Sequence, residues 1–312
     1  ESNLAAKSIQ HHKIIDIDSK NPLTVLKLLY SIRQIIKNNE ITIVHTHHRM
    51  AAFYIRLLKF VCPKLTHVYT AHNVFKDKLP LYRFALKNAK SVAVGEAVNN
   101  NLKEDVGITD SKVIYNGVIL KETDNQVDDI VDYDGTKLGC IARLSEQKGL
   151  TYLIEAMSLL TVKNIRLFIV GDGELRNELE NKVEELDLQD SVTFLGYRKD
   201  IVECINSFDF LVSSSLFEGL ALNVIETFMN GKTMVATNIP GINEVVNAEN
   251  GILVPVKDAN AMAKAIEKMA TDPRLREKLA NQAKKDYENK FSYPLFLENY
   301  RALYREIQGE PK

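Results

Sequence analysis

Short β-branched and apolar runs alternate with helically spaced stretches from one end of this 312-residue chain to the other. That alternation restricts the fold more than any other feature. Consecutive strands separated by helices pair in parallel, and the crossing helices cover both faces of the sheet. Strands are expected near Ile14–Ile17, Ile41–His45, Thr66–Thr70, Ser91–Val94 and Lys112–Ile114, and again near Lys137–Ala142, Arg166–Val170, Val192–Leu195, Phe210–Ser213, Thr233–Thr237 and Ile252–Val254. Helical spacing fills the intervals, as in Leu150–Leu160 and Leu175–Leu186. Two such sets imply two doubly wound α/β domains, and the length suffices for two separate cores.

The boundary is visible as a change in composition. Asn116-Gly117 reads as a turn, and Glu122 to Gly135 is acidic and poor in apolar residues, as expected of a linker. The division is therefore 1–118, 119–290, and a final helical segment at 291–312. In that segment Phe296, Tyr300, Leu303, Tyr304 and Ile307 form an apolar face that the first domain is expected to cover. The first glycine of the chain is Gly95. A ligand-binding open sheet normally has a glycine turn after its first strand. Residues 1–10 read instead as the tail of a helix, so the expectation is that a first strand and its glycine loop are missing at the start.

Charge separates the two halves. Residues 1–120 carry 17 Lys and Arg against 9 Asp and Glu, the remainder 23 against 32, and all seven histidines lie in the first 72 residues. The basic half is expected to face something anionic. Arg49 to Lys64, alternating cations with large apolar residues, is either a peripheral membrane contact or an ordinary core helix with a basic solvated side. No apolar run is long enough for a membrane span and no leader pattern is present, which points to a cytoplasmic protein. Cys62, Cys140 and Cys204 are far apart and read as buried free thiols. Nothing indicates nucleic-acid binding.

The chemistry concentrates at the ends of the second set of strands. Ile141-Ala142-Arg143-Leu144 closes a strand and Ser145 to Gly149 leads into a helix, so Arg143 and Lys148 could hold a diphosphate together, or could be two solvated cations beside a helix cap. Val170-Gly171-Asp172-Gly173 is a glycine turn after another strand, a weak signal alone. Ser213 to Glu226 reads as strand, polar turn and helix N-terminus, the local geometry that receives phosphate or hydroxyl-rich ligands. By itself its Glu218/Glu226 pair is equally compatible with two solvated glutamates. These edges should share the carboxyl side of one sheet, where α/β proteins bind ligands.

The succession IARLSEQKG, VGDGELR, FLGYRKDI, SSLFEGLALNVIET, NGKTMVATNIPGINEVV and GILVPVKD resembles the retaining glycosyltransferases of the GT-B fold, in the large family four that includes sucrose synthase-like and bacterial polysaccharide enzymes. In the first half IVHTHHRMAA, VYTAHN, VAVGEAVNNNL and VIYNGV are similar to that family's acceptor-side segments; Gly95 stands where a serine is usual. The resemblance implies two Rossmann-like domains facing across a cleft. It implies that Arg143 and Lys148 neutralise the leaving diphosphate and that Glu226 holds the ribose hydroxyls. It further implies that Glu218 and the backbone of Gly219, Leu220 and Ala221 grip the donor sugar, with Tyr197 and Arg198 beside the base and Gly171 on the donor side. His72 would be the active-site histidine, with His47, His48 and Asn73 on the acceptor side. A metal held by the histidines lacks the carboxylate partners such sites use, and His45 reads as a strand-end core residue.

The implied reaction moves a hexosyl or N-acetylhexosaminyl group from a UDP-sugar to a hydroxyl acceptor, with retention and with no metal or other cofactor. By analogy, the acceptor is a lipid-linked saccharide of capsule, exopolysaccharide or cell-wall assembly. The alternatives are a nucleotide-sugar-binding or partner subunit that does not catalyse, and a GT-B-fold sugar epimerase.

Overall fold

The structure, a computed structural model, describes residues 10–14, 17, 21–119 and 123–309. The strand expected at 14–17 and the helix tail expected at 1–10 fall largely outside that set. The chain forms two compact units. One comprises the described residues up to Ala93 together with Val98–Val113; the other comprises Val94–Ala97 and the described residues from Ile114 onward.

The first unit begins with α1 (Pro22–Asn38), β1 (Ile43–Thr46), α2 (Arg49–Leu58), β2 (Thr66–Ala71), α3 (Leu79–Leu86) and β3 (Lys90–Ala93). Then come α4 (Glu96–Asn100), a π-helical extension Asn101–Val106, and β4 (Ser111–Val113). The start of α1 is encoded locally: Pro22 occupies its first turn and Asn21 Oδ1 accepts from Leu23 N at 2.9 Å. The four strands pair in parallel in the order β1-β2-β3-β4. Ile36 of α1 and Ile55 and Leu58 of α2 pack with Leu65 into one apolar cluster. Helix α2 buries Ala52, Tyr54, Ile55 and Leu58, so of the two readings of Arg49 to Lys64 its helical part follows the core helix.

The second unit runs α5 (Asp128–Val131), β5 (Thr136–Ile141), α6 (Leu150–Ser158), β6 (Ile165–Val170), α7 (Arg176–Glu185), β7 (Val192–Gly196), α8 (Ile201–Ser207) and β8 (Phe210–Ser213). It continues with α9 (Leu222–Met229), β9 (Met234–Thr237), β10 (Gly251–Val254), α10 (Ala259–Thr271), α11 (Pro273–Asp286) and α12 (Tyr293–Gln308). The six strands are parallel, in the order β10-β9-β8-β5-β6-β7. The chain thus builds outward from β5 through β6 and β7, then returns to place β8 on the other side of β5. That reversal makes the carboxyl ends of β5 and β8 the switch point of the sheet.

Two expectations need amendment. Glu122 to Gly135 is not a bare linker: Asp128–Val131 is helical, Ile130 is fully buried, and Val127 N donates to Ser207 Oγ at 2.8 Å. Its few apolar residues suffice to dock it. Cys140 and Cys204 are buried, with burial pushing their thiols up to about 12 and about 11, whereas Cys62 is only half-buried. The C-terminal helix α12 belongs to the second unit, where Val118 bridges to Ser292 and a Cβ at Gly117 would meet Phe296.

Candidate functional site

At the β5/β8 switch point lies a cavity of about 820 Å³. Its walls are Ile141, Ala142 and Arg143 at the end of β5, Lys148 from the next turn, Val170, Gly171 and Asp172 after β6, and Tyr197, Arg198, Lys199 and Ile201 after β7. Glu218 and Leu220 to Asn223, at the start of α9, close the remaining side. A larger cavity of about 980 Å³ in the first unit is walled partly by Leu79, Phe84 and Leu86 and lies away from any strand's carboxyl end. Arg83, Lys87, Asp105 and Asp110 also line the larger one, but only the smaller one lies at a switch point of a sheet, where open α/β proteins receive ligands.

Two turns are stitched together to make it. Leu216 N donates to Gln147 O at 2.8 Å, Ser214 Oγ to Lys148 O at 2.8 Å, and Gln147 Nε2 to Phe217 O at 2.9 Å. Gly149 sits at φ +58, where a Cβ would lie 2.4 Å from Ser214 O, so the turns close only around glycine. The outcome is an ion pair between Lys148 Nζ and Glu218 Oε1 at 2.6 Å, with only 20% and 9% of the two side chains exposed. Arg143 is also paired, to Glu174 at 3.1 Å, but on the open surface. Arg198 pairs with Asp200, its Nε donating to Oδ1 at 3.0 Å. Each of these cations therefore already has a carboxylate partner.

Of the predicted donor-side residues, Arg143, Lys148, Gly171, Tyr197, Arg198, Glu218, Leu220 and Ala221 line the cavity. Gly219 and Glu226 do not. Glu226 sits in the second turn of α9, where burial alone raises its carboxyl above the usual range. The backbone N–H of Ala221 points at Gly241 O at 3.4 Å, so one of the three donors expected at this turn has a partner in the protein. Asp172, Lys199 and Asn223 line the cavity without having been singled out from sequence. Asn223 Nδ2 donates to Ile141 O at 3.1 Å and ties α9 to the end of β5. As one asparagine near a helix start, it carries no distinguishing local signal.

In the first unit the carboxyl ends of β1 and β2 gather histidines. His47 Nδ1 and His72 Nε2 are 3.0 Å apart, a hydrogen bond in which the tautomers decide which ring donates. The ring of His45 lies 4.3 Å from that of His47, and its Nε2 is 2.7 Å from Thr70 Oγ1. His45 is thus half-buried and part of this cluster, not a plain core residue. Burial, reinforced by the neighbouring imidazoles, lowers His45 to about 4; burial lowers His47, and burial followed by His47 lowers His72. His48 is separate, lining a cavity of about 250 Å³ with Arg49 and Tyr82, and Asn73 is exposed. Among the described residues no group of three or more His, Cys, Asp or Glu is arranged to hold a metal ion.

Comparison with known proteins gives these sites a context. The family described as glycosyl transferases group 1 matches residues 123–286, and glycosyltransferase family 4 matches residues 3–122. The capsular polysaccharide biosynthesis glycosyltransferase CapM of Staphylococcus aureus is 25% identical over 291 residues, covering 90% of this chain and 71% of that protein. The Escherichia coli UDP-Gal:alpha-D-GlcNAc-diphosphoundecaprenol alpha-1,3-galactosyltransferase is 25% identical over 316 residues, covering 90% of this chain and 80% of that one. The crystal structure of Anabaena Alr3699/HepE in complex with UDP superposes with a TM-score of 0.85 at 21% identity, covering 97% of this chain and 88% of the other. The two parallel-sheet α/β units are those of the GT-B glycosyltransferase fold.

Proposed function

The chain belongs to the glycosyl transferases group 1 family, and from that premise we propose that it moves a hexosyl or N-acetylhexosaminyl group from a UDP-sugar to a hydroxyl acceptor, with retention and without a metal. The observation that carries this reading is the 820 Å³ cavity at the β5/β8 switch point, whose walls include Arg143, Lys148, Glu218 and the first residues of α9. In the transfer, the bond between the anomeric carbon and the diphosphate oxygen breaks, and the electron pair leaves with UDP. The acceptor oxygen then bonds to the same carbon, and its proton passes to an oxygen of the departing diphosphate. Fixed cations and aligned backbone dipoles stabilise the charge that builds on the leaving phosphate.

Lys148 starts from its pair with Glu218, so the incoming diphosphate competes with that carboxylate for the ammonium. Glu218, once released, accepts hydrogen bonds from sugar hydroxyls. Glu226 would hold the ribose, with Tyr197 and Arg198 at the base. His72 is proposed as the active-site histidine, with His47, His48 and Asn73 on the acceptor side. The acceptor is proposed to be a lipid-linked saccharide in polysaccharide assembly; the named substrates of the E. coli relative and the pathway of CapM support that choice.

The test is calorimetric titration of UDP with and without magnesium, repeated for Glu226→Ala. Binding should be independent of magnesium and should weaken by about 1–3 kcal/mol on substitution, the scale of hydrogen bonds to a charged group. A protein that melts cooperatively yet binds no UDP would sink the proposal.

A further inference from the structure

The carboxyl ends of β1 and β2 pair polar side chains on both faces of the first sheet. On one face Thr46 Oγ1 and His67 Nε2 meet at 2.8 Å, both side chains buried. On the other, His45 and His47 are two residues apart, as are Thr70 and His72, the spacing that puts each pair on one side of a strand. These four side chains touch in series. His45 Nε2 lies 2.7 Å from Thr70 Oγ1, the His45 ring lies 4.3 Å from the His47 ring at 32°, and His47 Nδ1 lies 3.0 Å from His72 Nε2.

The series distinguishes the two ring nitrogens of His72. Nε2 is engaged by His47, and among the described residues that is the one hydrogen bond its side chain makes, which leaves Nδ1 to a ligand. A bond between two neutral imidazoles holds a single proton: where one ring donates, the other must present a lone pair. Burial lowers both rings below the ordinary histidine range, with His47 adding to the effect on His72, so both are uncharged at neutral pH. The tautomer of one ring therefore dictates that of the other. His47 is exposed and could exchange this bond for one to water, but its ring is stacked on His45, which is itself tied to Thr70.

We propose that His47 is a positioning residue for the transfer: its hydrogen bond to His72 Nε2 orients that ring and fixes its tautomer, so that His72 meets substrate through Nδ1. This role rests on the reading of His72 as the active-site histidine, and it makes His47 act through His72 instead of through a substrate contact of its own. All four side chains belong to the first unit, and none lines the 820 Å³ cavity. The pairing and UDP binding can therefore fail separately.

Two substitutions separate the nitrogens of His47, since an asparagine amide stands near the place of Nδ1 and a glutamine amide near that of Nε2. Long-range proton–nitrogen spectra of the whole protein, isotopically labelled at histidine and assigned with His72→Ala, should show His72 with one protonated and one bare ring nitrogen. His47→Asn should keep that pattern, and His47→Gln should average the two nitrogens. Release of UDP from UDP-glucose, UDP-galactose and UDP-N-acetylglucosamine should slow by about tenfold or more in His47→Gln, the effect of one lost hydrogen bond, and stay near wild type in His47→Asn. In a His72→Ala background neither substitution should slow it further. UDP affinity and the melting curve should stay at wild-type values throughout. Averaged His72 nitrogens in the wild-type protein overturn the proposal. Equal slowing by asparagine and glutamine also overturns it, by giving His47 a substrate contact of its own. If none of the three donors turns over, the spectra alone decide. A folded protein that binds no UDP overturns the donor reading, and the positioning role with it, while the spectra stay as they are.

Discussion

Gly171→Ala should damage the site out of proportion to the one methyl group it adds. Gly171 follows β6 at φ +137, a backbone conformation that side-chain-bearing residues rarely adopt, and its N–H donates to Gly196 O at 2.8 Å. A Cβ there would lie 1.9 Å from Ala142 O and 2.9 Å from Ala142 C, both backbone atoms at the end of β5. No rotamer relieves such a clash, so the ends of β5 and β6 must move apart. That movement strains the bond from Ala142 N to Val170 O, now 3.0 Å, worth about 1 kcal/mol net, and adds to a φ penalty of about 1–3 kcal/mol. The expected loss is about 2–4 kcal/mol.

Gly231→Ala is the matched control: its φ is +64, but a Cβ would meet nothing within 4 Å. Its cost should be about 1 kcal/mol, the left-handed penalty alone, partly offset by the stiffer unfolded chain. Both glycines lie in the second unit, so one urea transition reports both, with the denaturant slope required to stay constant. Because Gly171 and Ala142 line the cavity, UDP affinity should drop at least about tenfold for Gly171→Ala and stay unchanged for Gly231→Ala. Equal stability losses for the two variants, or full UDP affinity in Gly171→Ala, would refute the close-approach argument.

Lys148→Ala leaves the Glu218 carboxylate, 9% exposed, without its ammonium; it should cost about 1–3 kcal/mol of stability and slow transfer by at least about a hundredfold. A double-mutant cycle with Glu218→Ala should return part of the stability but none of the activity; a stability-neutral Lys148→Ala would show that the pair holds nothing. The first unit should lose stability in mild acid. His67 is buried against Thr46 Oγ1 at 2.8 Å, and burial lowers it from 6.5 to about 4, so the unfolded chain takes up a proton that the folded one refuses. Stability is full above pH 6.5 and falls by about 3 kcal/mol on going down to pH 4, at about 1.4 kcal/mol per pH unit. His45, also lowered to about 4, adds to the slope. Melting curves of wild type and His67→Asn across that range provide the check: the slope must flatten in the variant, whatever its offset.

Strand positions were legible because periodicity is local. The expected Phe210–Ser213 matches β8 at both ends, and the other described strands fall within two residues of expectation. The parallel pairing followed from the alternation alone, and the motifs from Arg143 to Ala221 pointed to the sheet edge where the 820 Å³ cavity lies. Burial on the far side of an element was harder to read. Val127 and Ile130 dock a segment whose composition resembled a linker, and Leu23, Leu26 and Tyr30 face solvent in a helix whose other face is core. A pattern of apolar residues shows that a stripe exists, but the neighbours decide whether it is covered.

What the sequence determined by itself was therefore the inventory: two α/β units, their strands, and the residue types capable of binding a charged ligand. Only the tertiary structure decided the pairings. Lys148 meets Glu218 seventy positions away because β8 returns beside β5, and His47 meets His72 because β1 and β2 end side by side in one parallel sheet. Such contacts depend on strand order, which no local pattern encodes, since a parallel neighbour is chosen by the packing of the whole sheet.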